Sequence, residues 1–515
     1  MTRSHNAYTR RWLEDRFART DEHGVFVAHM PIYGHRDGPA DGGRLPRLAR
    51  AVQILRALDE IEFASFLDVG CAEGYLAWVV RRLFGARVAG ADLSIEACRR
   101  AGELFDVDAC ACDAERLPFR DGAFDVVLCS ETIEHVEHPL HVMLELQRVA
   151  RRAVVFTTAE LQTDRAALDA WLRRRCGYPH SERNAFHPDD LRAVFGGDAT
   201  LRSQFLPPPP REPLSDDHAR RWLCAVTPDA LRDDAVGVVV RQMLDPAARR
   251  ASKRFGKSAL CDALLAARIP VEPLVRRECA GDPLRLAGDL VDPLDHRPLR
   301  RDGDALFAAD GTRYSIAPGG IASLHSREHR AVTRDELVSK LGDASMRATA
   351  LALHDALVLP EIAGRTTWDL AQPADRAGWR AGDQLVARDE GSAASRRAWC
   401  FRSTGGDPNL VGPTMASCTD DVLAFAITMR IANPAFPRDA GVGQLFWICV
   451  GDVTFREEAS VLFPVINDGE FHEYVVDPRT GRGWPTNGDL ICIRLDPVDG
   501  PCEFDLARFE VRLRS

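Results

Sequence analysis

Leu67-Asp-Val-Gly-Cys-Ala-Glu-Gly74 sets Asp68 and two glycines between an apolar run and an amphipathic one. Glycines at Gly70 and Gly74 let the backbone approach a ligand where side chains would clash. Asp68 adds a carboxylate beside them. Eighteen residues past Gly74 stands Asp92, at the end of the next apolar run, placed to bind a ribose diol. The loop reads D-x-G-x-x-x-G, not the G-x-G-x-x-G of a pyrophosphate binder, and it lacks the G-K-[ST] ending of a phosphate loop. A third acid, Asp113, follows another short extended segment and precedes Ala114. Phe124-Asp-Val-Val-Leu-Cys-Ser130 then reads as a buried strand ending at the carboxyl edge, where open parallel sheets bind ligands. Just past it, Glu131-Thr-Ile-Glu134-His135 offers His135 as leading candidate for a general base and Glu134 as the second. The competing reading is that the segment only starts the next helix and shapes a pocket. Upstream, Phe26 to His35 carries aromatics and imidazoles; Tyr33 and His35 are substrate-contact candidates, against a packed cap as the alternative.

Strands and helices must position these residues. From Phe63 to Thr158 the apolar runs 66–69, 88–91, 126–129 and 153–156 alternate with helical patterns at 76–84, 95–105 and 139–149. That alternation predicts an α/β doubly wound, Rossmann-like parallel sheet covered on both faces. Helical patterns at 8–20 and 45–58 form an N-terminal cap, residues 1–62. A helix at 188–195 precedes two runs, Thr200–Leu206 and Trp222–Val226, read as an antiparallel pair closing a domain of residues 63–227. Residues 228–285 read as a helical connector, 286–325 as a small β-rich module, and 326–362 as a linker containing a helix over 334–357. Residues 363–515 read as strand after strand, an all-β sandwich or jelly roll.

The glycine loop, Asp92, Cys112-Asp113-Ala114 and Leu117-Pro-Phe…Phe124-Asp-Val-Val together resemble class I S-adenosylmethionine-dependent methyltransferases over about residues 8–226. The resemblance implies S-adenosylmethionine as cofactor. Asp68, Gly70 and Gly74 would then surround its methionine end, Asp92 would hold the ribose hydroxyls, and Asp113 with the Ala114 amide would hold adenine; Ser130 would line the same edge. E-x-x-E-H also occurs in metal-dependent relatives, so Glu131, Glu134 and His135, sharing one helical face, are an alternative Mg²⁺ site; the preferred reading has no metal. Leu290-Val-Asp292-Pro-Leu-Asp295…Phe307…Asp310-Gly resembles the small zinc-ribbon protein that partners and activates several methyltransferases. Acids and a phenylalanine stand at its four cysteine positions, so the resemblance implies a fold kept without zinc. Gly469-Glu-Phe-His-Glu-Tyr-Val-Val…Phe504-Asp-Leu-Ala-Arg-Phe is similar to galactose-binding-type jelly rolls, with Trp368, Trp379, Trp399, Trp447 and Trp484 as candidate sugar platforms.

Composition bounds the partners. The 515 residues exceed one domain about threefold on a prior of about 150 residues per domain. A net charge of −10 weighs against sequence-independent binding to nucleic acid or anionic lipid. No run nears the about 20 apolar residues of a bilayer span, and the first residues lack a signal peptide's apolar core. Fourteen scattered cysteines without a C-x-x-C fit reduced thiols, so a cytoplasmic location is expected. The favoured reading is O-methylation of a small-molecule acceptor, a saccharide or glycan precursor. The alternatives are an RNA or protein methyltransferase, and a non-catalytic saccharide-binding scaffold whose first domain senses cofactor.

Overall fold

In a computed structural model the described residues are 5–20, 25–26, 29, 32, 44–174, 180, 182–195, 199–204, 215–227, 237–267, 286, 288–325, 337–338, 341, 344–357, 365–376, 378–382, 384–388, 397–413, 415, 417–433, 441–449, 452, 454–486, 488–498 and 500–514. The chain divides into two compact units. One holds residues 13–169 and 184–358; the other holds 1–12, 170–183 and 359–515.

The first unit takes the end of α1 (His5–Ala18), from residue 13 on, and all of α2 (Arg44–Leu58), then alternates β1 (Ser65–Val69), α3 (Tyr75–Phe84), β2 (Arg87–Asp92), α4 (Ile95–Phe105), β3 (Asp108–Ala111), β4 (Phe124–Ser130), α5 (Pro139–Val149) and β5 (Ala150–Thr158). After α6 (Arg165–Arg174), which straddles the division, come α7 (Pro188–Phe195), β6 (Ala199–Gln204), α8 (Asp216–Val226), β7 (Gly237–Met243) and α9 (Lys257–Ala266). The strands β1 to β5 run parallel in the order β5-β4-β1-β2-β3. β1 is buried at every position, as expected of strands covered on both faces. Strand order reverses between β1 and β4, and a crevice at their carboxyl ends follows from that reversal. Cap residues set the helix ends. Ser94 Oγ accepts from Ala97 N at 3.1 Å to start α4, and Gly85, at φ +70°, ends α3 in the left-handed conformation that favours glycine.

The sheet continues past the expected boundary at Thr227. β7 lies after it, in the stretch read as connector, and pairs antiparallel with both β5 and β6. The expected strand at Trp222–Val226 is helical instead. Ser215 caps α8 by accepting from His218 N, and Ala219, Leu223 and Val226 then fall on one face and bury in the main core. That run has helical rather than alternating burial, which a window of five apolar residues does not reveal.

The small module is β8 (Arg300–Asp302), β9 (Ala305–Phe307), β10 (Arg313–Ala317) and β11 (Ile321–Ser323), an antiparallel meander. It does not stand apart. β11 lies parallel to β3 with Ser323 opposite Ala111, so one sheet of eleven strands runs through domain and module. The helix read over 334–357 is described as α10 (Ala344–Leu357), with part of that range outside the described residues.

Besides its parts of α1 and α6, the second unit is built of strands: β12 (Thr367–Asp369), β13 (Arg380–Ala381), β14 (Leu385–Ala387), β15 (Trp399–Ser403), β16 (Leu410–Val411), β17 (Ser417–Cys418), β18 (Val422–Ala432), β19 (Gly441–Cys449), β20 (Ser460–Val465), β21 (Phe471–Val476), β22 (Asp489–Asp496) and β23 (Glu503–Leu513). Two six-stranded sheets, β14-β15-β23-β18-β21 with β12 on β23, and β13-β16-β22-β19-β20 with β17 on β22, share one core. Three expected sugar platforms are in that core: Trp368, Trp379 and Trp447 are 0, 3 and 1% exposed. Trp399 and Trp484 are half-buried, and Trp484 packs edge-on against Trp447. Among the described residues no helix is long and apolar enough to cross a membrane.

Candidate active site

β1 delivers the chain to the crevice, and the glycine loop turns there under tight constraint. Gly70 sits at φ +76°, and a Cβ on it would lie 2.0 Å from Thr132 Oγ1. Gly74 sits at φ +79°, and its Cβ would come 2.9 Å from Ala101 Cβ. Gly70 N and Cys71 N both donate to Ala91 O, at 2.7 and 3.1 Å, which ties the loop to β2. Asp92 closes the corner: its Oδ2 accepts from Ala72 N at 2.8 Å and its Oδ1 from Ser94 N at 2.9 Å.

Both acids of this corner are short of positive charge. Burial, and then the nearby Asp92, push the Asp68 carboxyl up to about 7. Burial pushes Asp92 up to about 6 although two amides favour its charged form. A ligand carrying a cation and a diol would restore what burial removes. Asp113 is half-buried at the end of β3, where its Oδ1 accepts from Glu115 N at 2.9 Å, and Ala114 follows in that turn. Ser130 Oγ lies 3.1 Å from Thr157 Oγ1.

The segment after β4 departs from expectation. Residues 131–137 form turns, with Glu131 at φ +51°, so the shared helical face on which a Glu131–Glu134–His135 metal site depends does not form. Among the described residues no three His, Cys, Asp or Glu side chains converge to hold a metal. Glu131 pairs with Arg50 of α2 at 3.2 Å and accepts from Thr157 Oγ1. Glu134 is 2% exposed. Its Oε1 accepts from Ala159 N at 3.4 Å, and Oε2 has no hydrogen-bond partner among the described residues. Burial, followed by the charge of Glu131, raises its carboxyl well above the usual range, which favours its protonated form. His135 is half-buried in the same turn, its amide donating to Thr132 O at 3.0 Å. Tyr33 and His35 lie outside the described residues.

Several residues here carried no sequence signal. Asn184 straps the turn from far along the chain: its Nδ2 donates to Ile133 O and Val136 O at 2.9 and 2.8 Å. Its amide also donates to Glu134 O at 3.1 Å. Glu73, fully buried inside the glycine loop, accepts from Phe26 N at 2.8 Å and lies 3.0 Å from His29 Nδ1, latching the N-terminal segment onto the loop. Glu14 of α1 caps α4, accepting from Ile95 N at 2.7 Å and from Ser94 Oγ at 2.9 Å. These contacts span more than forty residues each, and no local spacing marks them. In the module, Asp292 is buried; Oδ1 accepts from Leu294 N and Asp295 N, and Oδ2 from the Tyr314 hydroxyl at 2.9 Å. Asp295 and Asp310 are exposed and accept from Arg297 N and Thr312 N in their own turns.

Residues 67–157 match the family model described as a methyltransferase domain. The phthiotriol/phenolphthiotriol dimycocerosates methyltransferase of Mycobacterium tuberculosis is 35% identical over 141 residues, 26% of this chain and 52% of that protein. The ubiquinone biosynthesis O-methyltransferase of Ralstonia nicotianae is 42% identical over 85 residues, 15% of this chain and 34% of that one. The match thus spans about half the length of the first of these relatives and a third of the second. Among solved structures, magnesium protoporphyrin IX methyltransferase from Synechocystis, with bound SAH, matches at 14% identity and TM-score 0.28, over 47% of this chain and all of that one. With the loop, Asp92 and the strand order in place, the first unit carries a class I, S-adenosylmethionine-dependent methyltransferase domain.

Proposed function

We propose that the whole chain is an S-adenosylmethionine-dependent methyltransferase acting on a hydroxyl of a small-molecule acceptor. One observation carries it: two buried acids, Asp68 and Asp92, stand beside glycines that leave no room for a Cβ. That corner suits a ligand with a ribose diol and positive charge. When bound, the cofactor supplies a methyl group open to in-line displacement. The chain's share is to bind, orient and exclude water, with effective concentration providing much of the rate. A hydroxyl acceptor also loses a proton, and His135 is the group we assign to take it, with Glu134, the adjacent residue in the turn, as the second candidate.

The finer reading of the acceptor is a saccharide or glycan precursor. It rests on the sandwich, read as a jelly roll, and on the half-buried Trp399 and Trp484. A second reading, a hydroxyl on a lipid or quinone, is favoured by relatives whose names specify dimycocerosates, ubiquinone biosynthesis and tocopherol. We read β8–β11 as a zinc-ribbon fold in which Asp292 and Tyr314 replace metal-centred bonds.

The test incubates the full chain with methyl-labelled cofactor and two acceptor panels, sugars and hydroxylated lipids or quinols. Label on a hydroxyl of either panel is expected. Tight S-adenosylhomocysteine binding with no transfer to any acceptor favours a cofactor-sensing scaffold. With an acceptor found, His135→Ala should slow turnover by about 10²–10⁴ and leave S-adenosylhomocysteine affinity unchanged. Turnover should rise with pH as the wild-type imidazole loses its proton. Near-normal turnover in the variant removes His135 from the chemistry.

A further inference from the structure

Asp92 is held from the module as well as from its own loop. His325, two residues past β11 and 8% exposed, has Nε2 2.9 Å from Leu93 O and Nδ1 3.1 Å from Ser323 Oγ. With the Ser323 hydroxyl donating to Nδ1, the imidazole carries its proton on Nε2 and donates to Leu93 O. The Leu93 carbonyl and the Ser94 N–H belong to one planar peptide unit. That same Ser94 N–H donates to Asp92 Oδ1 at 2.9 Å. A donor fixed on one end of the unit therefore aims and polarises the donor at its other end.

The backbone repeats the arrangement one strand over. Leu324 N donates to Ala111 O at 2.7 Å. The other end of that peptide unit, Cys112 N–H, donates to Asp92 O at 2.8 Å. Two relays, each one peptide long, thus run from consecutive residues of the module to the side chain and the carbonyl of Asp92. The second also sets the strand end from which Asp113 departs.

We propose that His325 is a positioning residue for recognition of the cofactor's ribose, acting on Asp92 through the Leu93–Ser94 peptide, so that the module forms part of the nucleoside-binding edge. This rests on the reading of Asp92 as the ribose acid. The atoms that make the relay lie more than two hundred residues apart in sequence.

The experiment measures calorimetric affinity of the full chain for S-adenosylhomocysteine and for its analogue lacking both ribose hydroxyls. His325→Ala should weaken the natural ligand about tenfold, the scale of one lost hydrogen bond to a group it orients. The analogue, which has no diol for Asp92 to hold, should bind the variant and wild type alike. His325→Gln places an amide N–H near the Nε2 position and should restore most of the affinity. Equal losses for both ligands, or no loss for either, overturn the proposal. Should His325→Ala not fold, Ser323→Ala decides in its place: it frees the tautomer, and a loss confined to the diol-bearing ligand supports the relay, while unchanged affinity overturns it. Wild-type protein that binds neither ligand, or both equally, instead overturns the assignment of Asp92 itself.

Discussion

In the sandwich, Asp505 is fully buried and sits between Arg388 and Arg430, the latter at 2.7 Å, with Glu503 sharing both guanidiniums. At the carboxyl edge of the methyltransferase sheet, Asp68, Asp92 and Glu134 are buried to 8% or less, and among the described residues none has a guanidinium within ion-pair distance. The sandwich sets fixed cations against its buried acid, and the described residues of the sheet edge do not. At that edge burial first pushes the carboxyls upward, helped by Asp92 at Asp68 and by Glu131 at Glu134. Asp496 shows how far pairing alone goes: even with Arg494 at 2.7 Å, burial takes it to about 6. The contrast teaches that unpaired buried acid marks the edge a ligand completes, while paired buried acid marks a closed framework.

The largest effect should come from breaking the closed framework. Asp505→Ala strands two largely buried guanidiniums with only Glu503 between them, and should cost roughly 3–5 kcal/mol of the sandwich's stability. Denaturant unfolding followed by tryptophan fluorescence reads this directly, since Trp368 and Trp447 lie in that core. Cofactor affinity should not move. If the loss falls below about 1 kcal/mol, the network is merely a surface ornament and the comparison fails on that side.

Asp92→Ala is the matched cut at the open edge. S-adenosylhomocysteine affinity should fall by about 1–3 kcal/mol through lost ribose hydrogen bonds. Thermal stability without ligand should change little or rise, because a desolvated carboxyl has been removed. Equal calorimetric affinity for variant and wild type would show that the nucleoside lies elsewhere.

A third test uses pH. Asp68 at about 7 and Asp92 at about 6 bind protons more tightly folded than unfolded. Their contribution to stability is therefore full below the ordinary carboxylate pKa of about 4 and lost as pH rises through 6 and 7. Binding of S-adenosylmethionine, which carries positive charge, favours the ionised acids and should tighten over the same window, by up to about tenfold per pH unit. Melting temperatures without ligand should fall between pH 5 and 8 while affinity climbs. A flat affinity profile would mean that neither acid faces the cation.

Much of this edge was legible from local pattern. The strands at 66–69, 88–91, 126–129 and 153–156 and the helices at 139–149 and 188–195 stand where apolar periodicity put them, because buried parallel strands are continuous apolar runs and their helices have one apolar face. Gly70 and Gly74 were legible because only glycine tolerates their φ and their neighbours. What pattern could not supply was long-range: Glu73 holding Phe26 and His29, Asn184 holding the 133–136 turn, β11 lying beside β3. The turn at Glu131 to Glu137 was missed for a related reason. Its residues are acceptable in a helix, and the positive φ at Glu131 and the bonds from Asn184 decide otherwise. At Trp222–Val226 a short apolar run was ambiguous, and the cap at Ser215 outweighed it.

The smallest expected effect lies in the module, where a third treatment of buried acid occurs. Asp292 is 3% exposed and has no cation paired with it among the described residues; three donors from Leu294, Asp295 and Tyr314 hold it instead. The Tyr314 hydroxyl, pushed upward by burial and by this carboxylate, keeps its proton and donates it. Asp292→Asn retains the oxygen that the two amides address, but turns an N–H toward the tyrosine hydroxyl. The hydroxyl must then rotate to accept, and its own proton needs a new partner. A loss of about 0.5–1.5 kcal/mol follows, the net value of one hydrogen bond. Thermal melts should register it as a small shift, and chelator should change neither protein's melt. A full equivalent of zinc by elemental analysis, with unfolding on its removal, would place the module with metal-centred folds and withdraw the third case from the comparison.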